Sequence, residues 1–398
     1  MSMNADIISL IVFAILLSIY LYFKRKKLET HSVAFPLLYM CLYRTNIGIK
    51  LMDKAAEKFR EPIKFISMCF IGVAFAGLFL ISISILIQIY SFFFIESVTD
   101  AGFRLVLPGT SIPGIGYLTF WHWIIAIFIL AGAHEFGHGV VARAHDVKVK
   151  SSGFAFLGII APIIPAAFVE PDEKELAKKS DIVQYSVFAA GPIVNLVLAL
   201  IIALAVPSVL SQNGVTGYEE KITEPIGFTV NPVSDNLPGA KAGIHNGTLI
   251  TKIEGQDVKD ANSLNKILLC KQPGDTIILG NENKTYNITT AENPKDKSAY
   301  MGLFLKNERV VKEGYETKMP IYSWFKGLLR WLFLLNFFIG LANLLPIFIT
   351  DGARMLQTFM SKMIKDQKKA IKVWYVINAG FAFMLIIGLF ATYLKDLF

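Results

Sequence analysis

Apolar positions along this chain gather into six long uncharged stretches, at residues 7–23, 65–95, 105–133, 182–218, 331–350 and 373–394. Most of them reach the ~20 residues that a helix needs to cross the hydrocarbon core of a bilayer. Each is therefore expected to be a membrane helix. Between the fourth and fifth stretches the run is lost over about residues 222–291, where short apolar segments alternate with turn signals such as Asn246-Gly247. That change of period predicts strands rather than spans. The expected fold is an α-helical polytopic membrane protein of about six transmembrane helices. A small β-rich extracytoplasmic domain is inserted between its core helices.

Composition supports the pattern. Hydrophobic residues make up 54% of the 398 positions and charged residues 18%, against about 25% charged in soluble domains. The first stretch lacks a basic leading region and a small-residue cleavage site, and Lys24, Arg25, Lys26 and Lys27 follow it. It reads as a retained helix rather than a signal peptide. The net charge of +8 comes from basic residues beside the spans, which points to membrane orientation and not to nucleic acid. Cys41, Cys69 and Cys270 have no metal-type spacing and make no disulfide framework.

Charge also sets an expected topology. Residues 24–64 carry ten Lys/Arg against four Asp/Glu, so this segment should be cytoplasmic. The second span then runs outward to a short outer connection at 96–104, and the third returns. Residues 147–184 are cytoplasmic, 211–320 lie outside, and the basic loop with Lys362, Lys365, Lys368, Lys369 and Lys372 is cytoplasmic again. Sequons at Asn246, Asn283 and Asn287 fall in the outer segment. The resulting division is 1–64 (first helix and basic segment), 65–210 (membrane core), 211–318 (extracytoplasmic region) and 319–398 (membrane core and last helix).

The third stretch leads into His134-Glu135-Phe136-Gly137-His138. Histidines four residues apart share one face of a helix. Glu135 lies where it can reach water on a bound metal without being a ligand, the arrangement for zinc-assisted hydrolysis. Ionisable groups within a span are costly and functional by default. A third ligand is needed. His122 lies three turns up the same helix, out of reach, and His145 reads as a solvated loop histidine past its end. Asp351, at the end of the fifth stretch after Pro346, is a candidate, or else a boundary aspartate after a proline kink.

The pair HEFGH and NLLPIFITDG (residues 343–352) resembles the motifs of site-2 proteases, a family of intramembrane zinc metalloproteases. The resemblance implies His134, His138 and Asp351 as ligands of one Zn2+ per chain and Glu135 as general base. Asn343 would sit by the scissile bond and steady the oxyanion. FAFLGIIAPIIPAAFVEPDE (154–173) resembles the family's segment that holds substrate in extended form. AAGPIVN (189–195) is similar to the start of its next core helix, where Gly191 reads as a packing residue in preference to a catalytic role for Asn195. Residues 37–59 are similar to an extension in archaeal members. Residues 222–291 resemble a PDZ domain of the bacterial protease type, with helices at 240–243 and 261–270 and a strand at 272–279. Ile226, Gly227 and Phe228 would then form a loop offering backbone N–H groups to a peptide carboxylate. Thr248 departs from that pattern.

The implied activity is hydrolysis of peptide bonds within or near membrane segments. Its partners would be single-span membrane protein substrates and an upstream protease that trims them first. The alternative is a catalytically silent membrane scaffold that binds partner tails through the PDZ-like domain; such a scaffold would have no need to keep Glu135 and a complete ligand set. A metal transporter would spread its ionisable groups over several depths.

Overall fold

The computed structural model describes residues 3–395 apart from 35–37, 96–102, 104–105, 113–115, 159–161, 211–214, 233–235 and 294–296. The predicted outer connection at 96–104 lies largely outside the described residues. The chain divides into two compact units, residues 1–205 with 327–398, and residues 206–326.

The first unit opens with α1 (Met3–Lys24), a 3-10 turn over Arg25–Lys27, strands β1 (Leu28–Ala34) and β2 (Leu38–Thr45), and helices α2 (Ile49–Lys58) and α3 (Arg60–Phe94). A two-residue hairpin, β3 (Ser111–Ile112) with β4 (Gly116–Tyr117), precedes α4 (Phe120–Ala144). Then come β5 (Val149–Gly158), β6 (Pro162–Pro171), the short α5 (Glu173–Leu176) and α6 (Asp181–Ala205). Strands β1, β2, β5 and β6 form one antiparallel sheet in that order, with Tyr43 opposite Phe154 and Ser152 opposite Val169. β6 is an edge strand.

The second unit begins with a 3-10 turn at Pro207–Leu210 and α7 (Gly217–Ile222), followed by β7 (Thr223–Pro232) and α8 (Pro238–Lys241). It continues through β8 (Thr248–Ile250), β9 (Lys252–Ile253), β10 (Gln256–Asp257) and α9 (Asn262–Leu268). β11 (Thr276–Gly280), β12 (Thr285–Thr289), β13 (Ala291–Glu292), β14 (Ala299–Tyr300) and β15 (Leu303–Val311) complete it. Its main sheets run β15-β7-β8 and β10-β9-β11-β12. Phe228, Val230, Ile250, Leu264, Ile277, Leu279 and Ile288 fill the core between them. The predicted β-rich insertion is present, with helices close to the expected positions.

The chain ends with α10 (Lys318–Ala342), α11 (Asp351–Met363) and α12 (Gln367–Lys395). Among the described residues α1, α3, α4, α6, α10 and α12 are long and apolar enough to cross a membrane. Apolar side chains such as Leu80, Phe94 and Leu204 stand exposed on their outer faces, as helices facing lipid require. The chain is a multi-pass membrane protein.

Three boundaries differ from those expected. The third span does not start at residue 105, because Pro108, Gly109 and Gly116 break the ladder; Gly109 N–H donates to the Leu118 carbonyl at 2.8 Å and closes a turn there. α4 starts at Phe120, whose N–H is capped by Asp6 of α1 at 3.0 Å, while Thr119 Oγ1 caps His122 N–H at 3.2 Å. The fourth span stops at Ala205, ahead of Pro207, rather than running to the expected boundary at 210. The fifth span runs over Lys318–Ala342, so Asp351 does not end it but opens a separate helix.

Candidate metal centre

α4 runs straight through the HEFGH motif, so His134 and His138 lie one turn apart on one face, both buried. Asp351 reaches them from α11. The turn that delivers it is fastened at two points. Gly352 N–H donates to the Asn343 carbonyl at 2.8 Å, tying the start of α11 to the end of α10. Thr350 caps α11 by accepting from Ala353 N–H at 3.3 Å, and its hydroxyl donates back to the Leu345 and Ile347 carbonyls. Pro346 prevents the helix from running on through this turn.

The three donor atoms form a triangle. His134 Nε2, His138 Nε2 and Asp351 Oδ2 are each 3.2 Å from the other two. A tetrahedral ion with bonds of about 2.0–2.1 Å has its ligand atoms roughly 3.3 Å apart. The triangle thus fits one face of such a tetrahedron, and two imidazoles with one carboxylate are a donor set suited to zinc. Among the described residues no other group of three His, Cys, Asp or Glu side chains is gathered this way.

The neighbouring helix shapes the space. On α6, Val187, Gly191 and Asn195 recur at four-residue intervals and face α4. The Val187 carbonyl accepts from His138 Nδ1 at 2.7 Å, which leaves His138 Nε2 as the free nitrogen. A Cβ on Gly191 would lie 2.3 Å from His138 Nε2 and 2.5 Å from His134 Nε2. Gly191 therefore keeps open the volume beside the two imidazole nitrogens, where a metal ion would sit, beyond the helix packing expected of it. Asn195 Nδ2 lies 3.2 Å from His134 Nδ1. Sequence reasoning favoured the packing reading for this stripe, because only the structure shows which face of α6 meets the histidines.

These groups open into a cavity of about 730 Å³ lined by His134, Glu135, His138, Asn343 and Asp351, and by Phe168, Val169 and Pro171 of β6. Glu135 Oε2 accepts from Val169 N–H at 2.7 Å. Asn343 donates one amide hydrogen to the Ile339 carbonyl at 3.1 Å, and a primary amide keeps a second. Beside the cavity Arg354 pairs with Glu173 at 2.5 Å and Lys362 with Asp181 at 3.1 Å.

His122, on α4, and His145, just past its end, stay out of the site. His122 packs against Gly327 of α10. His145 is buried rather than solvated, with Nε2 3.5 Å from Ser67 Oγ of α3. Burial, reinforced by Lys64, lowers its pKa toward the neutral form.

Ile226, Gly227 and Phe228 lie within β7 rather than on a loop. Gly227 and Phe228 pair with Glu308 and Asn307 of β15, Phe228 also pairs with Ile250 of β8, and its ring is wholly buried. Pro225 and Gly227 face consecutive residues of β15, so Ile226 is the extra residue of a β-bulge. The strand ladder and the core claim this segment, and the structure does not bring it together as an N–H-presenting loop.

Residues 122–387, more than half of the chain, match the model of Peptidase family M50. Over 383 residues the chain is 28% identical to an uncharacterized protein of Methanocaldococcus jannaschii, which covers 92% of this chain and 89% of that protein. It is 26% identical over 347 residues to a protein of Clostridium acetobutylicum named as a candidate zinc metalloprotease, covering 70% of this chain and 98% of that one. Among solved structures, the PDZ domain of an SdrC-like protein from Listeria monocytogenes matches at 28% identity, over 20% of this chain and 87% of that chain, with a TM-score of 0.19. With its spans, its His-His-Asp triangle and this match in view, the chain belongs to peptidase family M50, as a metalloendopeptidase of the site-2 protease type.

Proposed function

We propose that this protein is a zinc-dependent intramembrane endopeptidase that hydrolyses peptide bonds within or near the transmembrane segments of single-span membrane proteins. One observation carries the reading: a zinc-sized triangle of donors shares a polar cavity with Glu135, and the cavity is built between helices whose outer faces suit lipid. His134, His138 and Asp351 would hold one Zn2+. Bound there, zinc would supply Lewis-acid chemistry for the scissile carbonyl and would lower the pKa of a bound water to about 7. Glu135 takes the proton of the attacking water and returns it to the leaving amine. The second amide hydrogen of Asn343 steadies the developing oxyanion.

A peptide bond inside a helix is shielded, so a substrate must unwind before it is cut. The edge strand β6 supports a place for it to do so. Val169 N–H points away from β5 toward Glu135, and Ala167, two residues earlier, faces the same way by strand alternation. The next positions on that edge are Pro165 and Pro171, which have no N–H. An extended substrate segment adding to this edge would meet Ala167 N–H directly, and Val169 N–H only as Glu135 releases it for the attacking water, beside the triangle. By the charge rule the site lies near the cytoplasmic side and the β-rich unit outside, where an upstream protease trims the substrate first.

The test compares wild type with Glu135→Gln, measuring zinc content and cleavage of a panel of single-span substrates. Zinc is expected in both. Cleavage is expected to fall by roughly 10²- to 10⁴-fold in the variant, the usual worth of a general base. Cleavage at the wild-type rate by Glu135→Gln would remove Glu135 from the mechanism.

A further inference from the structure

We propose that Asn195 is a positioning residue for the metal. Turned so that Oδ1 faces His134 Nδ1, its amide fixes the imidazole tautomer that leaves Nε2 for the ion. This inference rests on the zinc site proposed above.

Asn195 lies in the middle of α6 and is wholly buried. A primary amide in such a place is costly unless its polar atoms are used. Among the described residues its partner is His134 Nδ1, 3.2 Å from Nδ2, and its Oδ1 has none. The direction of that contact is decided by the histidine. Because His134 Nε2 points at His138 Nε2 and Asp351 Oδ2, a ligand role at Nε2 requires the ring proton on Nδ1. Nδ1–H is then a donor, and an amide NH2 opposite it would set donor against donor. A half-turn of the amide exchanges Nδ2 for Oδ1 at the same position, since the two ends are nearly equal in shape. It gives the orphaned oxygen its partner and the imidazole its acceptor.

The second histidine already shows this arrangement. His138 Nδ1 faces the Val187 carbonyl at 2.7 Å, and a carbonyl can only accept. Val187 and Asn195 are eight residues apart on α6, so one helix face holds the outer nitrogen of both imidazoles, with Gly191 between them. An acceptor on the outer nitrogen of a ligating histidine orients the ring and raises its basicity, and losing such a partner typically weakens metal binding 10- to 100-fold.

The experiment measures zinc dissociation constants of the detergent-purified full chain by competition with a chelating dye. Wild type, Asn195→Leu, Asn195→Asp and Asp351→Ala are compared. Asn195→Leu removes the acceptor at similar volume and is expected to bind zinc roughly 10- to 100-fold more weakly. Asn195→Asp keeps an acceptor and has no donor, so it is expected to bind at least as tightly as wild type. That rescue separates holding His134 from merely filling space. Zinc binding by Asn195→Leu within about threefold of wild type, or a loss in Asn195→Asp as large as in Asn195→Leu, overturns the proposal while leaving the metal site standing. If Asn195→Leu does not fold, Asn195→Asp decides alone: tight binding supports the inference, and a tenfold loss or more ends it. A wild type without zinc, or Asp351→Ala binding as well as wild type, would instead overturn the site and this inference with it.

Discussion

Gly191 and Gly227 each stand where a side chain would collide, and the atoms they would strike are of different kinds. At Gly191 the obstacles are His138 Nε2 and His134 Nε2, within 2.5 Å of where a Cβ would sit. At Gly227 the obstacle is the carbonyl oxygen of Ile250, at 2.3 Å. Gly191 has ordinary helical backbone, whereas Gly227 has φ of 137°, a region that residues with a Cβ rarely enter. The first glycine guards the space that the proposed zinc site needs. The second closes a sheet. Both sit in short stretches that look like functional signatures, and the neighbouring atoms tell them apart.

The comparison breaks most sharply at Gly191→Ala. Alanine favours helix over glycine by about 1 kcal/mol, so α6 itself is not weakened. Its methyl group, however, occupies the space beside His134 Nε2 and His138 Nε2 and forces the imidazoles aside. Zinc affinity is expected to fall at least about 100-fold, the upper end of what a change just outside the ligand set produces, and cleavage should fall with it. A chelator titration beside a thermal unfolding curve checks both halves. Wild-type zinc affinity in the Gly191→Ala protein would show that the space beside the imidazoles is not needed.

Gly227→Ala should behave in the opposite way. The left-handed backbone alone costs about 1–3 kcal/mol with a Cβ present, and the contact with the Ile250 carbonyl adds to it, since backbone in a paired strand cannot step aside. Strands β7 and β8 should lose hydrogen-exchange protection, while zinc content stays at the wild-type level. Loss of zinc in this variant with the sheet intact would contradict the assignment of Gly227 to packing.

The same contrast explains what could be read in the sequence and what could not. The six spans and the HEFGH motif are local: apolar length and a four-residue spacing settle them without reference to the rest of the chain. Span ends are less local. Pro108, Pro207 and Pro346 mark them, but whether Pro346 kinks a span or ends it depends on the Gly352-to-Asn343 bond across the turn. Pairing between distant strands leaves hardly any local trace. β1 and β2 join β5 and β6 in one sheet over a separation of more than a hundred residues, and nothing in residues 37–59 announced it. Asn195 was legible as a polar residue in a span. Its partner was not, because the rotation of α6 against α4 decides which of its side chains meets His134.

Ile226 gives the smallest effect and the finest distinction. As the extra residue of the bulge it makes no pairing with β15, and its side chain is 41% exposed. Truncation to alanine removes a side chain that is only partly buried, so the stability change is expected to stay near or below about 1 kcal/mol. A carboxylate-binding loop would respond differently, since its apolar residues line the pocket for a peptide's last side chain. Titrating the full chain with peptides ending in a free carboxylate or an amide, in wild type and Ile226→Ala, separates the two cases. With the segment committed to the sheet, the free carboxylate should give no advantage and Ile226→Ala no change. A preference for the free carboxylate that disappears in Ile226→Ala would mean that the bulge, in turning Ile226 out of the ladder, presents it to a ligand.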